Sequence, residues 1–391
     1  MRILFIQPFL KGYTLCPGAG GKDKAAYEMA VAACGKENEV FILPLPWGDF
    51  GQQEKLLSPV STFLGKSSNE VVVCPTGTTE GIFLRTLRLL SKRQLLKSPR
   101  RAWRNARLSA IFDLKECYLR TVANLEPDLI IVNQTGSPAP LWSVDLPNRP
   151  CLILVNHSPT YSPYLDLYDH IVWVSGWQQS QATERWPFTE KKSRLIRYFV
   201  DLPYFAEPVV STENVIVFIG LLDNDRKGLD ILISALALTN SKSLLKVIGT
   251  GSEMGHFQSL ASRAEVRVEF LGRVSDEENV RLLDESSLFV MPSRGESFGI
   301  VYVEAMARGV PAIGYSETIQ ELQQLVHPEC GDPFDANKES PGHLAQLIDS
   351  RMRWSRSNSA TRHLIAKKTK SEFAPEKFRR RYLKLITQLN S

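Results

Sequence analysis

The stretch Leu288-Phe-Val-Met-Pro292-Ser-Arg-Gly-Glu296-Ser-Phe-Gly299-Ile-Val-Tyr-Val-Glu304-Ala-Met-Ala-Arg-Gly309-Val-Pro311-Ala-Ile-Gly314 decides how the rest of the chain is read. Leu288 to Met291 is a short, wholly apolar run of the kind that a strand buried on both faces shows, and Pro292 ends it. Glu296 then sits in a polar turn. From Phe298 the spacing becomes helical, with Ile300, Val303 and Met306 on one face; Gly309 stops the helix, and Pro311-Ala-Ile begins another buried strand. The unit reads strand, loop, helix, strand. Ser297 is expected to cap the helix and to leave the backbone N–H groups of Phe298, Gly299 and Ile300 facing outward, where the helix dipole favours an anion such as a phosphate. Glu304 lies about two turns along the helix. The carboxylates of Glu296 and Glu304 are therefore free to hold different hydroxyls of one extended ligand.

In the form P-S-x-x-E-S-F-G-x-x-x-x-E-A-M-A-x-G-x-P this segment resembles the donor-site motif of the retaining family 4 glycosyltransferases of the GT-B fold. The resemblance implies that Glu296 contacts the transferred sugar. It also implies that Glu304 holds the ribose, and that the backbone from Phe298 through Gly299 and Ile300 to Val301 holds the diphosphate. A second stretch, Phe218-Ile-Gly220-Leu221-Leu-Asp-Asn-Asp-Arg226-Lys227-Gly228, is similar to the family's other signature, in which the Lys clamps the donor diphosphate. Lys227 inherits that role. The family usually has Arg directly after the glycine, whereas this chain has Leu221, and Arg226 or Arg273 is the candidate replacement.

With 391 residues, the chain is too long for one core and of the size for two. Charged residues are 23% and apolar ones 43%, an ordinary globular mix that excludes a disordered chain. No apolar run reaches the ~20 residues of a membrane span, and Met1 to Ile6 reads as a first strand, not as a leader, so a cytoplasmic protein is expected. The six Cys (16, 34, 74, 117, 151 and 330) have no C-x-x-C spacing, and reduced thiols are expected.

Buried-strand runs at Arg2 to Pro8, Glu39 to Leu45, Glu70 to Cys74, Asp128 to Asn133, Cys151 to His157, His170 to Ser175 and Arg194 to Phe199 alternate with helical stretches. A second series follows at Val215 to Gly220, Leu244 to Gly249, Val266 to Gly272, Leu288 to Met291 and Pro311 to Gly314. The expected fold is α/β, with two Rossmann-like domains facing a central cleft. Residues 1–200 would form the acceptor-side domain and 201–213 a Pro-rich linker. Residues 214–370 would form the nucleotide-sugar domain, and 371–391 a helix crossing back to the first domain.

Three features of the first domain bear on function. Gly20 and Gly21 lie in a glycine turn between a strand and a helix; the turn is not a Walker A loop, and in the resembled family a Gly-Gly loop here lies beside donor phosphates and acceptor. His157 follows a strand's carboxyl end, the side on which open α/β sheets bind ligands, and the resemblance places such a His near the donor sugar. Between Arg85 and Arg107, nine Lys or Arg, including Arg93, Lys97, Arg100, Arg101 and Arg104, are interleaved with leucines and Trp103, and no acidic residue is present. That stretch fits an anionic membrane surface, a nucleic-acid acceptor or a solvated helix packed by its leucines.

The expected activity is metal-independent, retaining transfer of a sugar from a nucleotide-diphosphate sugar to a glycan or lipid-linked hydroxyl, with a UDP-sugar as the favoured donor. No separate cofactor is expected. The alternatives are transfer to modified DNA bases, a sugar-nucleotide epimerase and a binding-only protein.

Overall fold

The structure, a computed structural model, describes residues 1–7, 29, 33, 38–44, 71–73, 115–116, 118–133, 135–200, 214–223 and 225–389. Gly20, Gly21, Arg93, Lys97, Arg100, Arg101, Arg104 and the 201–213 linker lie outside them.

Two parallel sheets organise the chain. The first contains β1 (Arg2–Gln7), β2 (Glu39–Pro44), β3 (Val71–Val73), β4 (Leu129–Val132), β5 (Cys151–Asn156), β6 (His170–Trp173) and β7 (Ser193–Leu195), in the order β3-β2-β1-β4-β5-β6-β7. The second contains β8 (Val215–Ile219), β9 (Leu244–Ile248), β10 (Val268–Gly272), β11 (Leu288–Met291), β12 (Ala312–Tyr315) and β13 (Gly331–Phe334), in the order β10-β9-β8-β11-β12-β13. Both are doubly wound, and each order reverses once, between β1 and β4 and between β8 and β11. At such a reversal the loops leaving neighbouring strands turn to opposite faces and open a crevice at the strands' carboxyl ends.

Apolar residues fill both faces of the central strands, whereas the edge strand β10 is only partly buried. Along β1, Ile3 and Phe5 face one core, and Leu4 and Ile6 face the other. The first of these cores is continuous with that of the second sheet, through Tyr198, Phe199, Phe298 and Phe378. β13 was not expected. Its sequence, Gly-Asp-Pro-Phe, has no apolar run, and it forms because it is an edge strand, paired on one side with β12, where Pro333 needs no second hydrogen-bonding partner.

β7 is shorter than the expected Arg194 to Phe199. Beyond Leu195 the chain leaves the sheet, and the Val200 amide donates to Phe373 O at 2.8 Å. Phe199 packs on Phe378 of the C-terminal helix Pro375–Leu389, with ring centroids 4.9 Å apart. No helix among the described residues is long and apolar enough to cross a membrane.

The β8/β11 reversal is closed tightly. Gly228, with φ of 76°, lies so close to the loop after β11 that a Cβ added there would meet Pro292 O at 2.0 Å. Gly228→Ala combines a left-handed backbone with that collision and is expected to cost at least ~2 kcal/mol of stability, read as a lowered midpoint in thermal or urea unfolding. A midpoint equal to that of the parent protein would mean that the two loops do not abut as described.

Candidate donor site

The β8/β11 reversal brings together the two stretches that the sequence singles out. Asp225–Lys227 forms a short 3₁₀ turn after β8, and the loop after β11 carries Ser293, Arg294 and Glu296. Lys227 Nζ forms an ion pair with Glu296 Oε1, and Ser293 Oγ donates to the same oxygen at 2.9 Å. The two ionic side chains are only 18% and 8% exposed, so the pair is well shielded from water, and removing either member would strand a charge.

Arg294 straps the loops together. Its guanidinium forks onto both carboxylate oxygens of Asp230, at 2.9 and 2.7 Å, and also donates to Asp225 O. Its amide donates to Arg226 O at 2.8 Å. Asp230 in turn belongs to the Leu229–Leu236 helix. This bidentate geometry fixes the Lys227 turn against the Glu296 loop.

The helix that follows begins differently from the expectation. It spans Ile300–Ala307, its N-cap is Gly299 with φ of 69°, and no side chain caps it, so Ser297 is not the cap. The reason is Phe298, which is 1% exposed. Burying that ring requires a left-handed step before the helix can start, which only Gly takes without strain. The amides left without an intrahelical acceptor are consequently those of Gly299, Ile300 and Val301, since the Tyr302 amide already donates to Gly299 O at 3.0 Å. Glu304 sits one turn further on and is half-buried.

Tyr302 gave no sequence signal beyond helical spacing. Its hydroxyl donates to Met291 O at 2.6 Å and accepts from the Tyr315 amide at 3.0 Å, so one buried side chain joins the helix to the ends of β11 and β12. Burial, with the nearby Glu296 carboxylate adding to it, pushes the phenol well above its ordinary range and keeps it a donor. A Cβ at Gly314 would meet the Tyr302 ring at 2.1 Å, which explains the glycine at the end of the stretch.

The remaining cationic candidates lie further out. Arg226 is exposed in the 3₁₀ turn next to Lys227. Arg273 is exposed just beyond β10, which is separated from β8 by β9 and so lies about 10 Å across the sheet from it. Leu221 is 55% exposed. Asp223 accepts from the Ser252 amide at 3.0 Å. The ends of β8, β9 and β10 meet closely: a Cβ on Gly249 would lie 1.8 Å from Gly220 O.

In the first domain, His157 follows β5. Its Nδ1 is 2.5 Å from the Tyr198 hydroxyl, and its Nε2 is 3.3 Å from Asn133 Oδ1. Asn133 follows β4 at the β1/β4 reversal and is 4% exposed, and its amide nitrogen is buried without a partner among the described residues. The Tyr198 ring stacks on His157, with 7° between the planes, and meets Phe298 edge-on at 5.6 Å. His157 is thus linked through one aromatic ring to the loop that carries Glu296. Asn133 shares with His157 the one signal that could have identified it, its place at a strand's carboxyl end. Tyr198 had no such signal. Cys151 and Cys330 are free thiols, which burial pushes up to about 11 and about 12. His170 heads β6, at the opposite end of the sheet from His157.

Comparison with known proteins adds three findings. Residues 204–368 match the family model "Glycosyl transferases group 1". Among curated proteins, a phosphatidyl-myo-inositol mannosyltransferase of Propionibacterium freudenreichii is 39% identical over 103 residues, 25% of each chain. The D-rhamnosyltransferase WbpZ of Pseudomonas aeruginosa is 30% identical over 195 residues, 47% of this chain and 50% of its own. The chain thus spans a quarter to a half of the length of these two relatives. Among solved structures, the sucrose-phosphate synthase of Thermosynechococcus elongatus superposes with a TM-score of 0.70 over 99% of this chain and 98% of its own, at 20% identity, which speaks to fold. The chain has the two-domain GT-B fold, and its residues 204–368 are similar to the glycosyl transferases group 1 family.

Proposed function

We propose that the protein is a retaining glycosyltransferase that moves a sugar from a nucleotide-diphosphate sugar to a hydroxyl of a glycan or lipid-linked acceptor. The observation that carries this reading is the convergence, at one topological reversal, of Lys227, Glu296 and the amides of Gly299, Ile300 and Val301, which have no intrahelical acceptor. The two curated relatives support it, since one is named for a mannosyl transfer to a phosphatidylinositol lipid and the other for a rhamnosyl transfer. In this reading the second domain, 214–370, takes the donor, and the first, 1–200, presents the acceptor.

The chemistry follows from the charges. As the bond between the anomeric carbon and the diphosphate oxygen lengthens, negative charge builds on the diphosphate. The helix amides can stabilise it without reorganising, and Lys227 joins them once it has parted from Glu296. Lys227 pairs with Glu296. A diphosphate arriving there draws the ammonium away and leaves the carboxylate to accept a hydroxyl of the transferred sugar. Glu304 accepts from the ribose. His157, anchored by Tyr198 and Asn133, lines the opposite wall. The acceptor oxygen bonds to the anomeric carbon from the leaving-group side, the carbon–diphosphate bond breaks, and the acceptor's proton passes to the departing diphosphate, so the configuration is retained. The protein itself supplies the positive charge, and the reading includes independence of divalent metal. Adjacency of the acceptor to an anionic membrane surface, with the basic Arg93 to Arg104 stretch as the contact to it, belongs to the same proposal.

Three measurements test it. Glu296→Gln is expected to lower transfer by at least ~100-fold, as loss of a transition-state contact does, while the protein stays folded by circular dichroism; transfer at the parent rate removes Glu296 from the mechanism. Lys227→Ala is expected to weaken binding of the nucleoside diphosphate by about 1.5–3 kcal/mol, the range of a charged hydrogen bond, measured by titration calorimetry. Unchanged affinity would contradict the clamp. Transfer assayed with excess EDTA is expected to proceed at the rate seen with added Mg²⁺, and a tenfold drop would assign the diphosphate charge to a metal instead.

A further inference from the structure

The Gly176–Arg185 helix of the first domain has Ser175 at its N-cap, in an extended conformation that suits capping, yet the Ser175 side chain makes no capping bond. The cap comes from the other domain. Glu321, on the helix Ser316–Leu325 that follows β12, accepts from the Gly176 amide at 3.0 Å on Oε1 and at 2.9 Å on Oε2, and from the Trp177 amide at 3.2 Å. Arg197 Nε donates to Glu321 Oε1 at 2.5 Å. The side chains of Arg197 and Glu321 are 16% and 11% exposed. Gly176 allows this approach, because a Cβ there would lie 3.3 Å from both Glu321 Oε1 and the Arg197 guanidinium. One carboxylate therefore satisfies two otherwise unpaired helix amides and one guanidinium, all on the opposite domain, where the helix dipole adds to the attraction.

The elements joined at this point are the ones that frame the cleft. Trp177 packs on Tyr315, with ring centroids 5.7 Å apart, and the Tyr315 amide donates to the Tyr302 hydroxyl that ties down the donor-site helix. Arg197 immediately precedes Tyr198, which contacts both His157 and Phe298. The seam therefore joins elements that lead to both walls of the cleft.

We propose that Glu321 is an interdomain positioning residue: by capping the Gly176–Arg185 helix across the seam and pairing with Arg197, it fixes the separation of the His157 wall from the Glu296 loop. The structural part of this inference stands independently of the chemistry. Its kinetic consequence rests on the glycosyltransferase reading.

Amide hydrogen exchange at Gly176 and Trp177 decides the structural part. In Glu321→Ala these two amides are expected to exchange at least tenfold faster than in the parent, while the Phe289 amide in the core of β11 is unchanged; equal rates at Gly176 and Trp177 would overturn the proposal. Should the alanine variant fail to fold, Glu321→Gln, which keeps the shape and loses the charge, is read in the same way. The double variant Arg197→Glu with Glu321→Arg restores opposite charges but sets a cation against the helix N-terminus, so exchange should stay fast. Full protection in that variant would show that the ion pair alone suffices and would overturn the capping role.

Kinetics supply the final arm. Because Lys227, Glu296 and the helix amides proposed to hold the diphosphate lie in the second domain, Glu321→Gln is expected to lower kcat for transfer at least tenfold with donor affinity held within twofold. An unchanged kcat beside accelerated exchange would contradict the positioning role. Failure of the parent protein to bind any donor would instead count against the glycosyltransferase reading, and leave the exchange result to judge the seam.

Discussion

The shielded ion pair between Lys227 and Glu296 can exist only because two loops from non-consecutive strands meet where the second sheet reverses direction. Everything around it serves that meeting. Gly228 removes the side chain that would hold the loops apart, and Arg294 bridges them through Asp230 and two backbone carbonyls of the Asp225–Lys227 turn. Tyr302 fixes the helix that supplies the free amides. A partly buried carboxylate and ammonium are costly to desolvate, and their mutual attraction offsets that cost only if geometry is held. The rigid bracing is therefore what one expects of a site that keeps opposite charges ready for a ligand able to replace one of them.

Much of the fold was legible because parallel strands buried on both faces leave an unmistakable trace in sequence: short β-branched, uncharged runs between helical stretches. Twelve of those runs lie where strands form, with ends differing by a few residues. β13 was invisible because an edge strand needs neither a continuous apolar run nor a full set of amides, so Gly331 and Pro333 disguise it. The cap of the donor-site helix was misplaced for a different reason. Ser297 has the right chemistry for capping, but the burial of Phe298 dictates where the backbone must turn, and tertiary packing overrode the local preference.

The site itself was half legible. Lys227 and Glu296 each lie in a contiguous motif that carries its own spacing. Asn133, Tyr198, Tyr302 and Glu321 act through partners more than ten positions away, and no local pattern announces such contacts. Tyr198 is the clearest case: it leaves the end of a short strand, stacks on His157 and touches Phe298 from the other domain. Its importance comes from the path of the chain after β7, which the apolar run Arg194 to Phe199 had suggested would simply continue the strand. The glycine turn at Gly20 and Gly21 and the basic stretch from Arg93 to Arg104 lie outside the described residues, and their roles rest on sequence.

The central claim is that the β8/β11 reversal receives the diphosphate of a sugar nucleotide. The most direct measurement is thermal stabilisation of the protein by UDP, GDP, ADP, TDP and CDP in parallel, since a ligand at 100 times its dissociation constant adds about 2.7 kcal/mol to the folded state. The account predicts a clear upward shift with one of these nucleotides, lost in Lys227→Ala. No shift with any of them would contradict it.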